Sequence, residues 1–236
     1  VIAAALQSGS VSKIVLTSSV AAVHGDAVDM KEQGVESFDE SFFNSTCSAT
    51  HQPYSYSKVA AEKAAWDMVA GSNLKLVVLN PAFLMGPPLS STSGSESIQL
   101  VKDLLKGRYR TGIPEIWYGF VDVRDVALAH VRALELDDVE GRHLLSERTM
   151  SLWDLAKMLK PEYGQRYKLP LIKSPKWLAW LIAPVAGVTR KYIKRNTGHP
   201  IQLNTEKSKH ALGLEYRPID QSLHEMIRKM EETGQL

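Results

Sequence analysis

Residues 11–19, VSKIVLTSS, form a short apolar run rich in β-branched side chains that ends in small hydroxyl residues, and residues 73–81, NLKLVVLNP, repeat that plan. Both predict buried strands. Between them lie a polar loop from His24 to Pro53 and an alanine-rich helix that carries Lys58, runs through Ala60, Ala64, Ala65 and Trp66, and stops at Gly71. Strand, helical crossover and strand imply a parallel pair, hence an α/β layered fold. Ligands of open parallel sheets sit beyond the carboxyl ends of the strands. That rule puts Thr17, Ser18 and Ser19 on one rim with Asn80, Pro81 and Ala82, and Tyr54, at the start of the helix, faces the same rim.

The helix opens as QPYSYSKVAAEKAAW, residues 52–66. Helical residues four apart share a face and residues two apart do not, so Tyr54 and Lys58 can share a site that Tyr56 cannot join. A free phenol titrates near ~10, and an ammonium held beside one favours the phenolate, which makes a usable proton donor. Of the eight tyrosines in the chain, only Tyr54 has a lysine four residues later.

Composition narrows the function classes. With 236 residues, 44% hydrophobic and 23% charged, the chain can bury a sizeable core in one large or two small domains. A net charge of +2 gives no electrostatic case for nucleic acid as a partner. The single cysteine, Cys47, excludes an internal disulfide framework and suits a reducing cytoplasm. No apolar run reaches the ~20 residues that span a bilayer. The opening VIAAALQSG reads as the second half of an amphipathic helix, with more chain expected upstream.

Beyond Pro81, AFLMGPPLSSTSGSES is rich in Pro, Gly and Ser; Gly86, Pro87, Pro88 and the serines after them read either as a lid or as a solvated linker. A helix is expected over Ile98 to Lys106, then a loop containing Ile113, Pro114 and Trp117. VDVRDVALAHVRALEL predicts a short strand and a helix with Asp125 as N-cap, and GRHLLSE a further strand. SLWDLAKMLK opens with the capping-box pair Ser151 and Asp154. His24, Cys47 and His51 share a loop, but their spacing matches no zinc pattern, so no metal is expected. KWLAWLIAPVAGVTRKYIKR sets tryptophans beside Arg190, Lys191, Lys194 and Arg195. A basic flank on an apolar helix can mark membrane-surface binding. Pro184 breaks this run, and a helix packing its tryptophans inward is the expectation.

Four ordered segments, LTSSVAAV, YSYSK, LNPAFLMGP and FVDVRDVALAH, resemble the extended branch of the short-chain dehydrogenase/reductase superfamily. FDESFFN followed by YSYSKVAAEKAAW, the 35-residue interval from Ser19 to Tyr54, and KSKHALGLEYRP are most similar to its dihydroflavonol reductase-like group, which includes cinnamoyl-CoA reductases and many microbial aldehyde and ketone reductases. The resemblance implies a partial Rossmann-type parallel sheet over 1–86 and 120–148, and a smaller, mostly helical substrate lobe over 87–119 and 149–236. It implies that Ser19 hydrogen-bonds a substrate carbonyl, that Tyr54 is the general acid, and that Lys58 acidifies it and holds the nicotinamide ribose of NADP or NAD. Thr17, Ser18, Pro81, Ala82, Phe83 and Leu84 would line the cofactor, and Val20, Ala21, Phe83 and Ser97 the substrate. Ser18 competes with Ser19 for the serine role, because strand alternation turns only one of them to the substrate.

The implied activity is NAD(P)H-dependent reduction of an aldehyde or ketone, with a small carbonyl compound as partner. Dehydratases of the branch carry an acidic pair after the serine, where this chain has Val20, Ala21 and Ala22. A 3β-hydroxysteroid dehydrogenase, a sugar-nucleotide epimerase and a truncated non-catalytic homologue remain alternatives. The glycine-rich phosphate turn of the superfamily does not occur in these 236 residues, so the chain resembles the C-terminal two-thirds of such an enzyme: either a fragment or a protein that has lost its cofactor site. Oligomeric state is not legible.

Overall fold

A computed structural model describes residues 1–90 and 95–236. In chain order the elements are α1 (Ile2–Ser8), β1 (Lys13–Thr17), α2 (Asp29–Glu32), α3 (Pro53–Val69), β2 (Lys75–Pro81), β3 (Phe83–Met85), α4 (Glu96–Leu105) and β4 (Trp117–Asp122). There follow α5 (Val123–Glu135), β5 (Gly141–Leu145), β6 (Arg148–Ser151), α6 (Leu152–Tyr163), α7 (Lys176–Ile182), α8 (Arg190–Asn196), α9 (Glu206–Leu212) and α10 (Ile219–Glu232). They divide into two compact units: Val1–Ala82 with Arg124–Ser146 and Gln202–Tyr216, and Phe83–Val123 with Glu147–Ile201 and Arg217–Leu236.

The first unit is built on a parallel sheet of order β1-β2-β5, with Val15 opposite Val77 and Leu79 opposite His143. The two apolar runs read as strands are β1 and β2. Central β2 is buried from Leu76 to Pro81, and each of its fully buried Val and Leu side chains contributes about 1.5–3 kcal/mol. Edge strand β1 stays half-exposed. Helix α3 begins with Pro53 at its first position, where a missing N–H costs nothing. Its buried residues Ser55, Val59, Glu62, Ala65 and Val69 recur at helical spacing and form the inward face. Ala65 and Val69 pack on Leu74, Leu76 and Val78, and Gly71, at φ 74°, supplies the left-handed residue just past the helix end.

Two expectations are corrected here. Asp125 lies inside the first turn of α5, which starts at Val123, so it is not an N-cap; there its carboxylate still faces the positive end of the helix dipole. The segment 202–216, expected in the substrate lobe, belongs to the first unit. Phe38 N–H donates to Gln202 O at 2.9 Å and Asn204 N–H to Phe38 O at 2.8 Å, stitching Leu203 beside Phe38, while the hydroxyls of Tyr216 and Ser208 lie 2.8 Å apart. The segments of the first unit end at Ala82, begin again at Arg124 and end again at Ser146, and Phe83 pairs with β4 in the second unit.

That unit holds a small mixed sheet of order β3-β4-β6, with β3 and β4 parallel and β4 and β6 antiparallel. Its core is apolar: Phe120, Leu104, Leu155, Leu159, Tyr163 and the α10 residues Leu223, Met226 and Ile227 form one cluster. The capping box at Ser151 and Asp154 is formed, and Ser95 caps α4. Gly86, at φ 124°, brings its backbone so near Val123 that a Cβ would lie 3.0 Å from that side chain. The serines expected in a lid or linker fall partly at residues 91–94, outside the described residues. The tryptophans of α7 do not pack inward: Trp177 is 68% and Trp180 42% exposed, because the inward face is made by the small residues Ala179 and Ala183. No helix among the described residues is long and apolar enough to cross a membrane.

Candidate functional site

Ser18 and Ser19 leave the carboxyl end of β1 in opposite senses. The Ser18 hydroxyl is buried and donates to Glu62 Oε2 at 2.5 Å. Ser19 caps the short 3-10 turn Val20–Ala22, its Oγ accepting from Ala21 N–H at 3.2 Å. Helix α3 packs against that turn, so the helix bearing Tyr54 and Lys58 meets the loop bearing Ser19. Tyr54 is 60% exposed, and Lys58 Nζ stands 5.7 Å from its ring centroid, so the four-residue spacing does bring the pair together. Tyr56 is exposed elsewhere on the helix.

A polar cluster that spacing did not reveal lies directly beneath these residues. Glu62, one turn after Lys58 and fully buried, accepts from Ser18 Oγ, from Asn80 Nδ2 at 2.8 Å and from Arg142 Nε at 2.5 Å. Asn80 Nδ2 also lies 3.1 Å from Ser19 O, tying the peptide of that serine to β2. The Arg142 guanidinium continues to the carbonyls of Glu40 and Phe42 and stacks 3.9 Å from the centroid of Phe43. Glu40 in turn accepts from Leu144 N–H at 2.8 Å. The acidic segment FDESFFN is therefore bolted to β5, and a carboxylate removed from water has its lone pairs matched by three donors. A signal was present in the sequence: Arg142 is a charge inside an apolar strand, and such a charge needs a buried partner.

The approach to Tyr54 is held as firmly. Gln52 sits in the left-handed region at φ 56°, alone among the described non-glycine residues. Its amide donates to Asp26 Oδ1 at 2.6 Å and accepts from Ser55 Oγ at 3.1 Å, and His51 Nε2 lies 2.9 Å from Asp26 Oδ2. Side-chain hydrogen bonds thus offset a backbone conformation that costs roughly 1 kcal/mol or more. Gly25 completes this loop, since a Cβ there would lie 1.9 Å from Thr46 Oγ1. His24, Cys47 and His51, weighed as metal ligands, face different partners: His24 stacks on Phe38, where burial pushes its pKa down, and His51 faces Asp26.

The remaining sequence-derived positions are distributed as follows. Thr17 hydroxyl lies 2.6 Å from His130 Nε2, and His130 Nδ1 donates to the Val126 carbonyl at 2.8 Å. Val20 packs against the Val23, Phe38 and Leu144 cluster, and Ala21 is half-buried with its carbonyl accepting from Asn44 Nδ2. Pro81 and Ala82 are buried, and the Ala82 N–H is committed to Leu145 O at 2.8 Å. Phe83, Leu84 and Ser97 belong to the second unit. There Phe83 packs on Tyr118 and Phe120, Leu84 is 39% exposed, and the Ser97 hydroxyl lies 3.2 Å from that of Ser95. Tyr118 and Tyr192 hydroxyls stand 3.1 Å apart beside Phe83, and burial raises the Tyr118 pKa well above its ordinary value. Two clefts lie away from these positions: one of about 540 Å³ is lined by Trp153, Lys157 and Leu171, another of about 400 Å³ opens at the amino ends of β2 and β5.

With this geometry in place, similarity to known proteins is informative. The chain is 32% identical to cinnamoyl-CoA reductase 2 of Arabidopsis thaliana over 231 residues, covering 96% of this chain and 61% of that protein. It is 28% identical to the NADPH-dependent methylglyoxal reductase of Saccharomyces cerevisiae, covering 91% of this chain and 62% of that protein. Among solved structures, the yeast methylglyoxal/isovaleraldehyde reductase in complex with NADPH superposes with a TM-score of 0.71 at 25% identity, over 96% of this chain and 66% of that one. Alfalfa vestitone reductase, at 23% identity and a TM-score of 0.73, shares the fold. The chain thus spans about three-fifths of the length of the curated relatives it matches. The sequence model of the NAD-dependent epimerase/dehydratase family matches residues 1–145, more than half of the chain. The chain belongs to that family, in the dihydroflavonol reductase-like branch of the extended short-chain dehydrogenases/reductases.

Proposed function

We propose that this chain supplies the proton-donating machinery of an NADPH- or NADH-dependent reductase acting on an aldehyde or ketone. The observation that carries the reading is the packing of α3, with Tyr54 over Lys58, against the turn capped by Ser19. The reductase names of the plant and yeast relatives support the same chemistry. The donor set suits the cofactor: an ammonium with three donors and a neighbouring phenol match the hydroxyls of a nicotinamide ribose. Bound there, the nicotinamide supplies a hydride to the carbonyl carbon.

What remains for the chain is the charge that collects on the carbonyl oxygen. Tyr54 donates its phenolic proton to that oxygen, and the Ser19 hydroxyl, whose acceptor side is occupied by Ala21 N–H, donates a hydrogen bond to it. Lys58, its ammonium 5.7 Å from the Tyr54 ring centroid, holds a ribose hydroxyl. Ser18 takes no part, because its hydroxyl is committed to Glu62. No carboxylate follows Ser19 in the turn Val20–Ala22, which favours reduction over dehydration.

The test is steady-state oxidation of NADPH and NADH by the full coding chain with a panel of aldehydes and ketones. Tyr54→Phe is expected to lower kcat about 10²–10⁴-fold, and Tyr56→Phe to leave it unchanged. Lys58→Met keeps the stem's volume and should lower both kcat and cofactor affinity. Equal losses in the two tyrosine variants, or a parent that reduces no carbonyl with either cofactor, would refute the assignment.

A further inference from the structure

The second unit presents a surface that the proposed chemistry does not use. Along α7, Trp177, Trp180 and Leu181 recur at helical spacing on the outside, and Ile182 and Val185 extend the apolar face, Val185 being 93% exposed. Leu171 and Ile172, just before the helix, are exposed as well. Ala179 and Ala183 are the buried residues of this segment and Leu178 is half-buried, so Trp177, Trp180, Leu181 and Ile182 occupy the outward face of the helix.

The charge around this face is one-sided. From Tyr163 to Thr205 the sequence has no Asp or Glu and eight Lys and Arg, in a chain whose net charge is only +2. Arg166 and Lys173 pair with Glu231 and Glu115 from outside the stretch. Lys176, Arg190, Lys191 and Lys194 have no acidic partner among the described residues, and all are exposed. Helix α8 packs on α7, placing the Arg190 guanidinium 4.5 Å from the Trp180 ring and Lys176 Nζ 3.1 Å from His199 Nε2. Partial burial, then repulsion from Lys194, hold the Lys176 pKa below its ordinary value.

We infer that α7 and the turn after it form a peripheral docking face for an anionic lipid surface, with Trp177, Trp180, Leu181, Ile182 and Val185 entering the headgroup region and Lys176, Arg190, Lys191 and Lys194 meeting the phosphates. Tryptophan is the side chain most at home at that boundary, and exposed aliphatics at its side supply the apolar area that such binding requires. A second copy of the chain is the poorer occupant, because apposing two such faces would bring like charges together. The inference is independent of the proposed reductase activity and fails or stands without it.

The experiment is flotation of the full coding chain with phosphatidylcholine vesicles, with and without phosphatidylserine, together with tryptophan emission. Binding is expected only with phosphatidylserine, weakening as salt is raised, with a blue shift that Trp177→Phe/Trp180→Phe diminishes. Lys191→Gln and Lys194→Gln should each weaken binding about fivefold, the equivalent of ~1 kcal/mol per basic residue at an anionic surface. Trp177→Ser/Leu181→Ser changes exposed positions and should abolish flotation with an unaltered far-ultraviolet spectrum. No flotation, equal flotation without phosphatidylserine, or an oligomer that this double variant converts to monomer would each overturn the inference, the last by assigning the face to a second copy.

Discussion

The two units solve the problem of an interior in different ways. The first sets a charged group, Glu62, at its centre and satisfies it with Ser18, Asn80 and Arg142; the second fills its centre with Leu, Met, Phe and Tyr side chains. A buried ion pair adds little net stability over apolar packing of equal volume. Its use here is directional: the same amide that bonds Glu62 holds the Ser19 carbonyl, and the same guanidinium holds the loop leading toward α3. An apolar core gives no such orientation to what lies above it.

The largest expected effect comes from breaking the polar centre on one side. Arg142→Ala leaves Glu62 buried with its strongest partner gone and is expected to cost about 3–5 kcal/mol, measured by urea unfolding. Replacing both partners, as Glu62→Met/Arg142→Met, should recover most of that stability yet leave reductase activity low, since Ser18 and Asn80 have lost their acceptor. A stable and fully active double variant would show that the network orients nothing.

Leu155→Ala is the matching cut in the second unit. It opens a cavity among Leu104, Leu159 and Phe120 and should cost about 2–5 kcal/mol. A lower unfolding midpoint is expected, with KM for the carbonyl and kcat in the remaining folded enzyme little altered.

Acid sharpens the contrast. His143, on β5 of the first unit, has its pKa pushed down from 6.5 to about 4, first by burial and then by the Lys207 ammonium. The unfolded chain therefore binds more protons than the fold between those two values, so this contribution is complete above the upper one and is lost as pH falls toward the lower. A shift of that size is worth at most about 3 kcal/mol. The loss of stability between about pH 7 and about pH 5 should be smaller in His143→Gln than in the parent, compared by urea midpoints. An identical loss in both would remove His143 from the account.

The smallest effect is expected at Gln52. Gln52→Gly relaxes the left-handed backbone but deletes the bonds to Asp26 and Ser55, so stability should change by roughly 1 kcal/mol or less. The informative readout is kcat, which should fall more than stability does if the side chain aims the first turn of α3. Gln52→Asn, which tolerates the same backbone region, should preserve more of it.

The strand-helix-strand plan was legible because each piece has a local cause. Apolar β-branched runs make β1 and β2, Pro53 and Gly71 bound α3, and Ser151 with Asp154 starts α6. The Tyr54 and Lys58 pair was legible for the same reason, since a helix fixes which residues four apart meet. Asp125 was misjudged by three residues because N-cap signals do not mark a boundary that closely. The α7 tryptophans were misjudged because helical spacing shows that one face is apolar but not which way it turns.

By itself, the sequence determined the α/β class, the parallel pair and the shared face of Tyr54 and Lys58, all of which can be read from local pattern: apolar runs, the length of the crossover between them and helical spacing. Only the tertiary structure decided that Ser18 turns to Glu62 while Ser19 caps its turn, that Gln202–Tyr216 joins the first unit, and that Arg142 reaches across 80 residues of sequence to Glu62. The physical reason is that local pattern fixes conformation through backbone geometry and periodicity, whereas the partner of a buried charge and the outward sense of an apolar helix depend on what else the fold brings to the same place.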